Sequence, residues 1–90
     1  MNDHSKRLVE SVFNAINRYD NGLVEEEKLL RDIEGISSSI EEEEVYRLVS
    51  NLALKIDESR YLYDVKEGKT FLSTEIDIFK QKIKILDGTN

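Results

Sequence analysis

The sequence predicts an all-α fold, a small antiparallel four-helix bundle that forms a single helical domain over residues 1–90. Large apolar residues recur at spacings of three and four along four segments, which is the period of an amphipathic helix. The chain contains no proline and only four glycines, so few residues interrupt these segments. Short connections favour antiparallel neighbours, and a chain of 90 residues builds one hydrophobic core.

The first helix is predicted to begin with Asp3 or Ser5 as its N-cap. One apolar stripe runs along it, at spacings of four, four and three: Leu8, Val12, Ile16 and Tyr19. Asn21 and Gly22 are predicted to end the helix, because both residues tolerate the left-handed backbone conformation.

The second helix is predicted from a group of apolar residues on one face: Leu23, Leu29, Leu30 and Ile33. Its first turn carries Glu25 to Glu27, which the positive end of the helix dipole favours. Gly35 is predicted to end this helix.

The third helix is predicted to begin near Ile40, after a capping box formed by Ser38 with Glu41 or by Ser39 with Glu42. Its buried stripe is long: Val45, Leu48, Val49, Leu52 and Ile56.

Apolar character fades after Ile56, so we expect a bend or short break in the third helix around residues 57–60. A continuous helix to Glu67 is the alternative, since no proline forbids it. Gly68 is predicted to close this region in either case.

The last helix is predicted from a stripe at spacings of four, three, four and three: Leu72, Ile76, Phe79, Ile83 and Leu86. Alternation of Ile76 with Ile78 also fits a strand, but the helical register accounts for more large residues. Thr70 or Ser73 is the predicted cap.

Composition excludes several classes of protein. The chain has no cysteine, which excludes disulfide scaffolds and zinc-thiolate sites. Its 13 basic and 19 acidic residues give a net charge of −6, which disfavours nucleic acids and anionic membranes and favours a basic partner. No segment has the ~20 apolar residues of a membrane span, and the first residues are charged where a signal peptide is apolar. We expect a cytoplasmic protein.

No catalytic constellation is predicted. The single histidine, His4, lies near the amino terminus, and Glu41 to Glu44 are expected to form a solvated helix start. A calcium loop aligned on Gly22 would place Tyr19 and Lys28 at ligand positions, and no phosphate-binding glycine motif occurs. The sequence therefore predicts no enzyme activity, no catalytic residue, no cofactor and no metal site.

An acidic and aromatic cluster surrounds the expected bend: Asp57, Glu58, Tyr61, Tyr63, Asp64 and Glu67. On helical spacing Asp57, Tyr61 and Asp64 share one face, a mixture suited to binding a basic protein. The alternative is an ordinary solvated surface on which Arg60 and Lys66 neutralise the carboxylates by local pairing.

Two segments resemble the small helical immunity proteins of the colicin D type. In the first, Val12 to Ile33, the matching residues are Phe13-Asn14-Ala15-Ile16, Gly22-Leu23-Val24 and Leu30. In the second, Leu48 to Leu86, they are Leu52-Ala53, Ile56, Asp57-Glu58, Arg60, Tyr63-Asp64 and Gly68. The sequence departs from the family pattern at Glu58-Ser59, where a proline or a longer loop is expected.

The resemblance implies a stoichiometric inhibitor that covers the basic active site of a cognate nuclease toxin, which cleaves transfer RNA in the family's best-known form. Asp57 and Glu58 match the family's acidic pair and are the first expected contacts. The other expected partner-binding residues are Asp64 and Glu67 as further acids, and Tyr61 and Tyr63 as aromatic anchors. Glu41 to Glu44 would add long-range steering.

Two other functions are compatible with the sequence. The first is a structural or regulatory interaction module, for which a homodimer would need apolar residues left over from the core: Leu29, Ile36, Ile78 and Ile85 are the candidates. The second is a membrane-associated bacteriocin immunity protein, which the acidic charge disfavours.

Overall fold

The fold is a four-helix bundle. The computed structural model describes residues 1–88, in which α1 spans Asp3–Asp20, α2 spans Glu26–Ser37, α3 spans Glu43–Tyr61 and α4 spans Val65–Leu86. Residues 1–88 contain no strand. The predicted all-α class is confirmed, and so is the helical interpretation of the last segment.

Contacts near the start of α1 show that the helices alternate in direction. The backbone N–H of Asn2 donates to Glu42 Oε1 at 2.6 Å, and Lys6 Nζ lies 3.8 Å from Asp87 Oδ1. The start of α1 therefore lies beside the start of α3 and the end of α4. Since consecutive helices pack on each other, α2 and α4 run opposite to α1 and α3.

The core is formed by the predicted stripes of all four helices. Its side chains exposed by less than 2% include Val12, Ile16, Leu29, Ile33, Val45, Val49, Ile56 and Leu72. The rings of Phe13 and Phe79 meet edge to face, with centroids 6.1 Å apart, and join α1 to α4. Leu23 is an exception: it lies before α2 and is 71% exposed.

The predicted C-terminal end of α1 is correct and the predicted N-terminal cap is wrong. Asn21 is the C-cap and Gly22 has a φ of 74°, as predicted for a helix that ends in the left-handed region. The N-cap is Asn2, whose side chain accepts from the backbone N–H of Ser5 at 2.8 Å. Asp3 and Ser5 lie inside the helix, so the predicted caps are wrong by one and three residues.

The predicted boundary between α2 and α3 is wrong. Gly35 lies inside α2, and the serine hydroxyls bond backwards: Ser37 Oγ donates to the Glu34 carbonyl at 2.9 Å and Ser38 Oγ to the Gly35 carbonyl at 2.7 Å. Because these hydroxyls satisfy the open carbonyls at the end of α2, they do not cap α3. Glu42 is the N-cap of α3 and makes no capping side-chain bond.

The predicted break at residues 57–60 is also wrong. The third helix continues through these residues, where Ser59 is buried and its hydroxyl donates to the Ile56 carbonyl at 2.6 Å. A polar residue thus continues the buried stripe at no cost in unsatisfied hydrogen bonds. The helix ends at Tyr61 and residues 62–64 separate it from α4, so the alternative of a continuous helix to Glu67 is wrong too.

The last helix begins earlier than predicted. Asp64 is its N-cap and accepts from the backbone N–H of Glu67 at 2.8 Å, whereas Thr70 and Ser73 lie inside α4. Gly68 does not close the preceding region but lies in the first turns of α4, where it contacts the Ser59 carbonyl.

Candidate protein-binding surfaces

Asp57 and Glu58 are adjacent in sequence but face different neighbours. Asp57 lines a groove between α2 and α3, opposite Leu30. Glu58 Oε1 lies 3.2 Å from Lys55 Nζ, and Lys55 lines the groove between α3 and α4. Successive residues of a helix are rotated by about 100°, which explains the separation. The two carboxylates therefore do not form one acidic patch.

The groove between α2 and α3, called here the α2–α3 groove, has a volume of about 420 Å³. Its lining residues are Leu30, Glu34, Ser37, Tyr46, Ser50, Ala53, Leu54 and Asp57. None of them is basic, and Glu34 and Asp57 form no ion pair within the part of the chain that the structure describes. Tyr46 is 46% exposed and Leu54 is 54% exposed. The groove thus combines two uncompensated carboxylates with accessible apolar surface.

The end of α3, the connection that follows it and the first turn of α4 form a second exposed surface, residues 61–67, called here the 61–67 turn. All seven residues are exposed, and Tyr61 and Val65 most strongly among the large ones, at 76% and 78%. The Tyr63 ring stacks on Phe71 with centroids 4.7 Å apart. The turn therefore presents apolar and aromatic area to solvent.

The structure brings together only part of the predicted face. Asp57 and Tyr61 lie one turn apart on α3, as the helical spacing predicts. Asp64 is outside α3, because the helix ends at Tyr61, and its carboxylate caps α4. Glu67 lies in the first turn of α4 with its side chain exposed.

The two runs of consecutive glutamates in the sequence lie at opposite ends of the bundle. Glu25 to Glu27 lie at the start of α2, the end of the bundle that also carries the 61–67 turn. Glu41 to Glu44 lie at the start of α3, the opposite end. The 12 residues of α2 separate the two groups by about 18 Å along the helix axis.

Local pairing leaves most of the negative charge uncompensated. Among residues 1–88, ion pairs engage four of the 19 acidic side chains, Asp32, Glu43, Glu58 and Asp87, which leaves 15 without a basic group within 4.0 Å. Arg60 and Lys66 take part in no ion pair in this range. The negative field of the chain is therefore directed at solvent.

Two titrations are altered by neighbouring groups. A hydrogen bond from the Asn2 backbone N–H lowers the pKa of Glu42 below its usual range. Burial, and then the carboxylate of Glu26, raise the pKa of Tyr19 to about 12. The Tyr19 hydroxyl donates to Glu26 Oε1 at 3.5 Å. The two hydrogen bonds involved each join the ends of two helices: Asn2 with Glu42, and Tyr19 with Glu26.

Residues 1–88 contain no cluster of three or more His, Asp or Glu side chains suited to a metal ion. His4 Nε2 lies 3.1 Å from the Ser39 carbonyl oxygen at the exposed end of the bundle.

Sequence reasoning missed three residues of these surfaces, Glu34, Tyr46 and Leu54. One signal was available, because Leu54 lies off the buried stripe of its helix, where an apolar residue predicts exposure. Of the residues proposed as left over from the core, Leu29 is fully buried and Ile36 is half-buried, whereas Ile78 and Ile85 are exposed.

Comparisons with protein-family models, with curated proteins and with solved structures find no match to this chain. In residues 1–88 no helix combines the length and apolar character needed to cross a membrane. What the chain binds must therefore be inferred from its own surfaces.

Proposed function

We propose that this chain is an immunity protein, a stoichiometric inhibitor that binds a cognate bacterial nuclease toxin in the cytoplasm and covers its basic active site. The observation that supports this most is the α2–α3 groove, in which the unpaired carboxylates of Glu34 and Asp57 adjoin the exposed side chains of Tyr46 and Leu54. The inhibitor has no chemistry of its own and acts by charge and shape.

Electrostatics make this function physically reasonable. A nuclease site must be basic to attract phosphates, so an acidic protein surface competes with the nucleic acid for the same site. Uncompensated carboxylates accelerate the encounter with a basic partner and impose a strong dependence on salt. Exposed apolar side chains then supply the water-excluded contact that slows dissociation.

The predicted binding residues take different roles in this proposal. Asp57 faces the α2–α3 groove and is the first choice for an ion pair with a toxin lysine or arginine. Tyr61, one helical turn away and 76% exposed, is the aromatic anchor. Glu58 contributes less because it is already paired with Lys55. Asp64 also contributes less, because its carboxylate already accepts the Glu67 backbone N–H as the N-cap of α4.

Three further groups extend the surface. Tyr63 widens the aromatic area through its stack on Phe71. Glu67 adds an exposed carboxylate beside it. Glu41 to Glu44 lie at the other end of the bundle and act on the toxin only through long-range attraction.

The test uses the product of the reading frame adjacent to this gene, provided that it carries a basic carboxy-terminal domain. We expect that domain to cleave RNA, and one equivalent of this chain to abolish the cleavage. Asp57→Lys should weaken binding by roughly 100-fold, as expected when one partner of a close charge pair across an interface is reversed.

Glu58→Lys is the matched control, because it makes the same change of charge on the adjacent residue, which faces α4. We expect its effect to be within about fivefold, as for a charge at the rim. Equal loss of affinity in the two variants, with circular dichroism unchanged, would contradict the assignment of the α2–α3 groove. Undiminished RNA cleavage in the presence of wild-type protein would contradict the function itself.

A second candidate function is supported by the exposed Ile78 and Ile85 on α4. In that case the chain is a helical interaction module that works as a homodimer and has no toxin partner. Binding to a nuclease distinguishes the two functions. An immunity protein binds and inhibits a nuclease, whereas the module forms a homodimer and needs no nuclease as a partner.

A further inference from the structure

A second stripe runs along α4 beside the one that enters the core. It consists of five residues at spacings of four, three, four and three, Phe71, Glu75, Ile78, Lys82 and Ile85, and we call it the α4 stripe. At 100° per residue these five lie within an arc of about 80°. They border the grooves between α3 and α4, apart from Phe71, on which the Tyr63 ring stacks.

Side chains of the α4 stripe remain exposed or unpaired among residues 1–88. Ile78 is 36% exposed and Ile85 is 72% exposed. Glu75 and Lys82 take part in no ion pair among residues 1–88. Two aliphatic side chains, an acid and a base are thus presented together on one helix flank.

The order of these residues makes the stripe complementary to itself. Read from Phe71 to Ile85 it is apolar, acidic, apolar, basic, apolar, and reading it backwards exchanges only the two charges. An antiparallel two-fold axis at Ile78 brings each Glu75 next to Lys82 of the second copy and each apolar end next to the other. A parallel pairing would instead place like charges opposite each other.

We propose that the chain forms a homodimer in which two copies of the α4 stripe pack antiparallel around Ile78. Such a contact is isologous, the commonest type in soluble homo-oligomers, and it carries two symmetric ion pairs beside an apolar centre. The α2–α3 groove lies on the other flank of α3 and stays accessible. The dimer does not use the α2–α3 groove and presents two such grooves.

Residues of α3 also take part in the dimer contact, because they line the grooves between α3 and α4. One of them has a volume of about 330 Å³ and is lined by Leu48 and Arg47 of α3 together with Lys82 and Ile85 of α4. In the dimer, the Phe71 ring of the second copy covers this open apolar surface, including Ile85. Covering it removes from water the apolar side chains that the bundle itself leaves exposed.

The decisive test is a charge exchange followed by sedimentation velocity over a series of protein concentrations. The wild-type chain should approach twice its monomer mass of 10.5 kDa. Glu75→Lys and Lys82→Glu should each raise the dimer dissociation constant by roughly tenfold, since each turns two attractions into two repulsions. The double variant E75K/K82E should restore the wild-type value.

Recovery of the wild-type dissociation constant by the double variant would indicate ion pairs between the two copies. Residues 75 and 82 are seven positions apart, about 10.5 Å along the helix, so they do not pair within one copy. A double variant that stays as weak as the single ones, with the helix content unchanged, would overturn the antiparallel arrangement. A wild-type chain that remains at monomer mass at every concentration would overturn the dimer.

An independent measurement locates the axis. The chain has no cysteine, so Ile78→Cys introduces a single thiol at the proposed two-fold axis. Mild oxidation should link this variant into a covalent dimer, and Asp77→Cys, which is exposed on a different face of α4, should link far more slowly. Equal rates for both variants would contradict the proposed face. Loss of the dimer leaves the effect of Asp57→Lys on toxin binding unaltered, so the two proposals fail separately.

Discussion

The two glycines that lie inside helices, Gly68 in α4 and Gly35 in α2, have different surroundings. In α4 the backbone of Gly68 approaches the Ser59 carbonyl so closely that a Cβ atom at Gly68 would overlap the oxygen. In α2, Gly35 also lies inside a helix, yet a Cβ atom there would meet nothing within 4 Å. The two glycines therefore differ: Gly68 is held against the backbone of α3, whereas Gly35 lines an open groove between α1 and α2.

Gly68→Ala should have the largest effect, because the atom that a methyl group would meet belongs to the backbone and has no side-chain torsion with which to move away. Relief requires α3 and α4 to separate or α4 to unwind at its start. We expect a loss of about 1 to 3 kcal/mol in the free energy of unfolding, measured with a chemical denaturant.

Gly35→Ala is the matched control for this comparison. It makes the same chemical change within a helix in open space, so we expect a gain of about 0.5 to 1 kcal/mol from the reduced entropy of the unfolded chain. Changes of the same sign in both variants would contradict the distinction between the surroundings of the two glycines.

These glycines also show what the sequence was able to predict. The four helices were predictable because their buried stripes repeat at three and four residues, as Val12 and Ile16 illustrate. Gly35 and Gly68 were wrongly predicted to end helices, because glycine usually interrupts them. Gly68 permits the close approach of two helices, and the sequence alone does not distinguish such a glycine from one that ends a helix.

The candidate site was predictable to a smaller extent. The exposure of Tyr61 could be expected from the loss of apolar character after Ile56. The separation of Asp57 from Glu58 depends on which helix packs on each flank of α3, and a single helix pattern does not contain that information. The pairing of Glu58 with Lys55 likewise requires the rotamers of both side chains.

Asp64→Ala should have the next largest effect, and it tests how firmly the start of α4 is fixed. The Asp64 side chain accepts from the Glu67 backbone N–H at 2.8 Å, and loss of an N-cap costs about 1 kcal/mol of stability. Asp64→Asn keeps an acceptor and should cost at most a few tenths of a kcal/mol. If both variants lose the same stability, the carboxylate charge, and not the cap bond, stabilises this end.

The smallest effect concerns the start of α2, where a contact between Tyr19 of α1 and Glu26 titrates. Burial and Glu26 raise the pKa of Tyr19 to about 12, above its ordinary value of 10.0, so the folded state disfavours the phenolate. This contribution to stability is complete below pH 10 and is lost progressively as the pH rises from 10 towards 12. The absorbance of the four tyrosines should therefore contain one late-titrating component. Tyr19→Phe should remove that component and flatten the fall in the free energy of unfolding. A late component that survives in Tyr19→Phe would show that another tyrosine is the buried one, and that α2 is not held at its start by this contact.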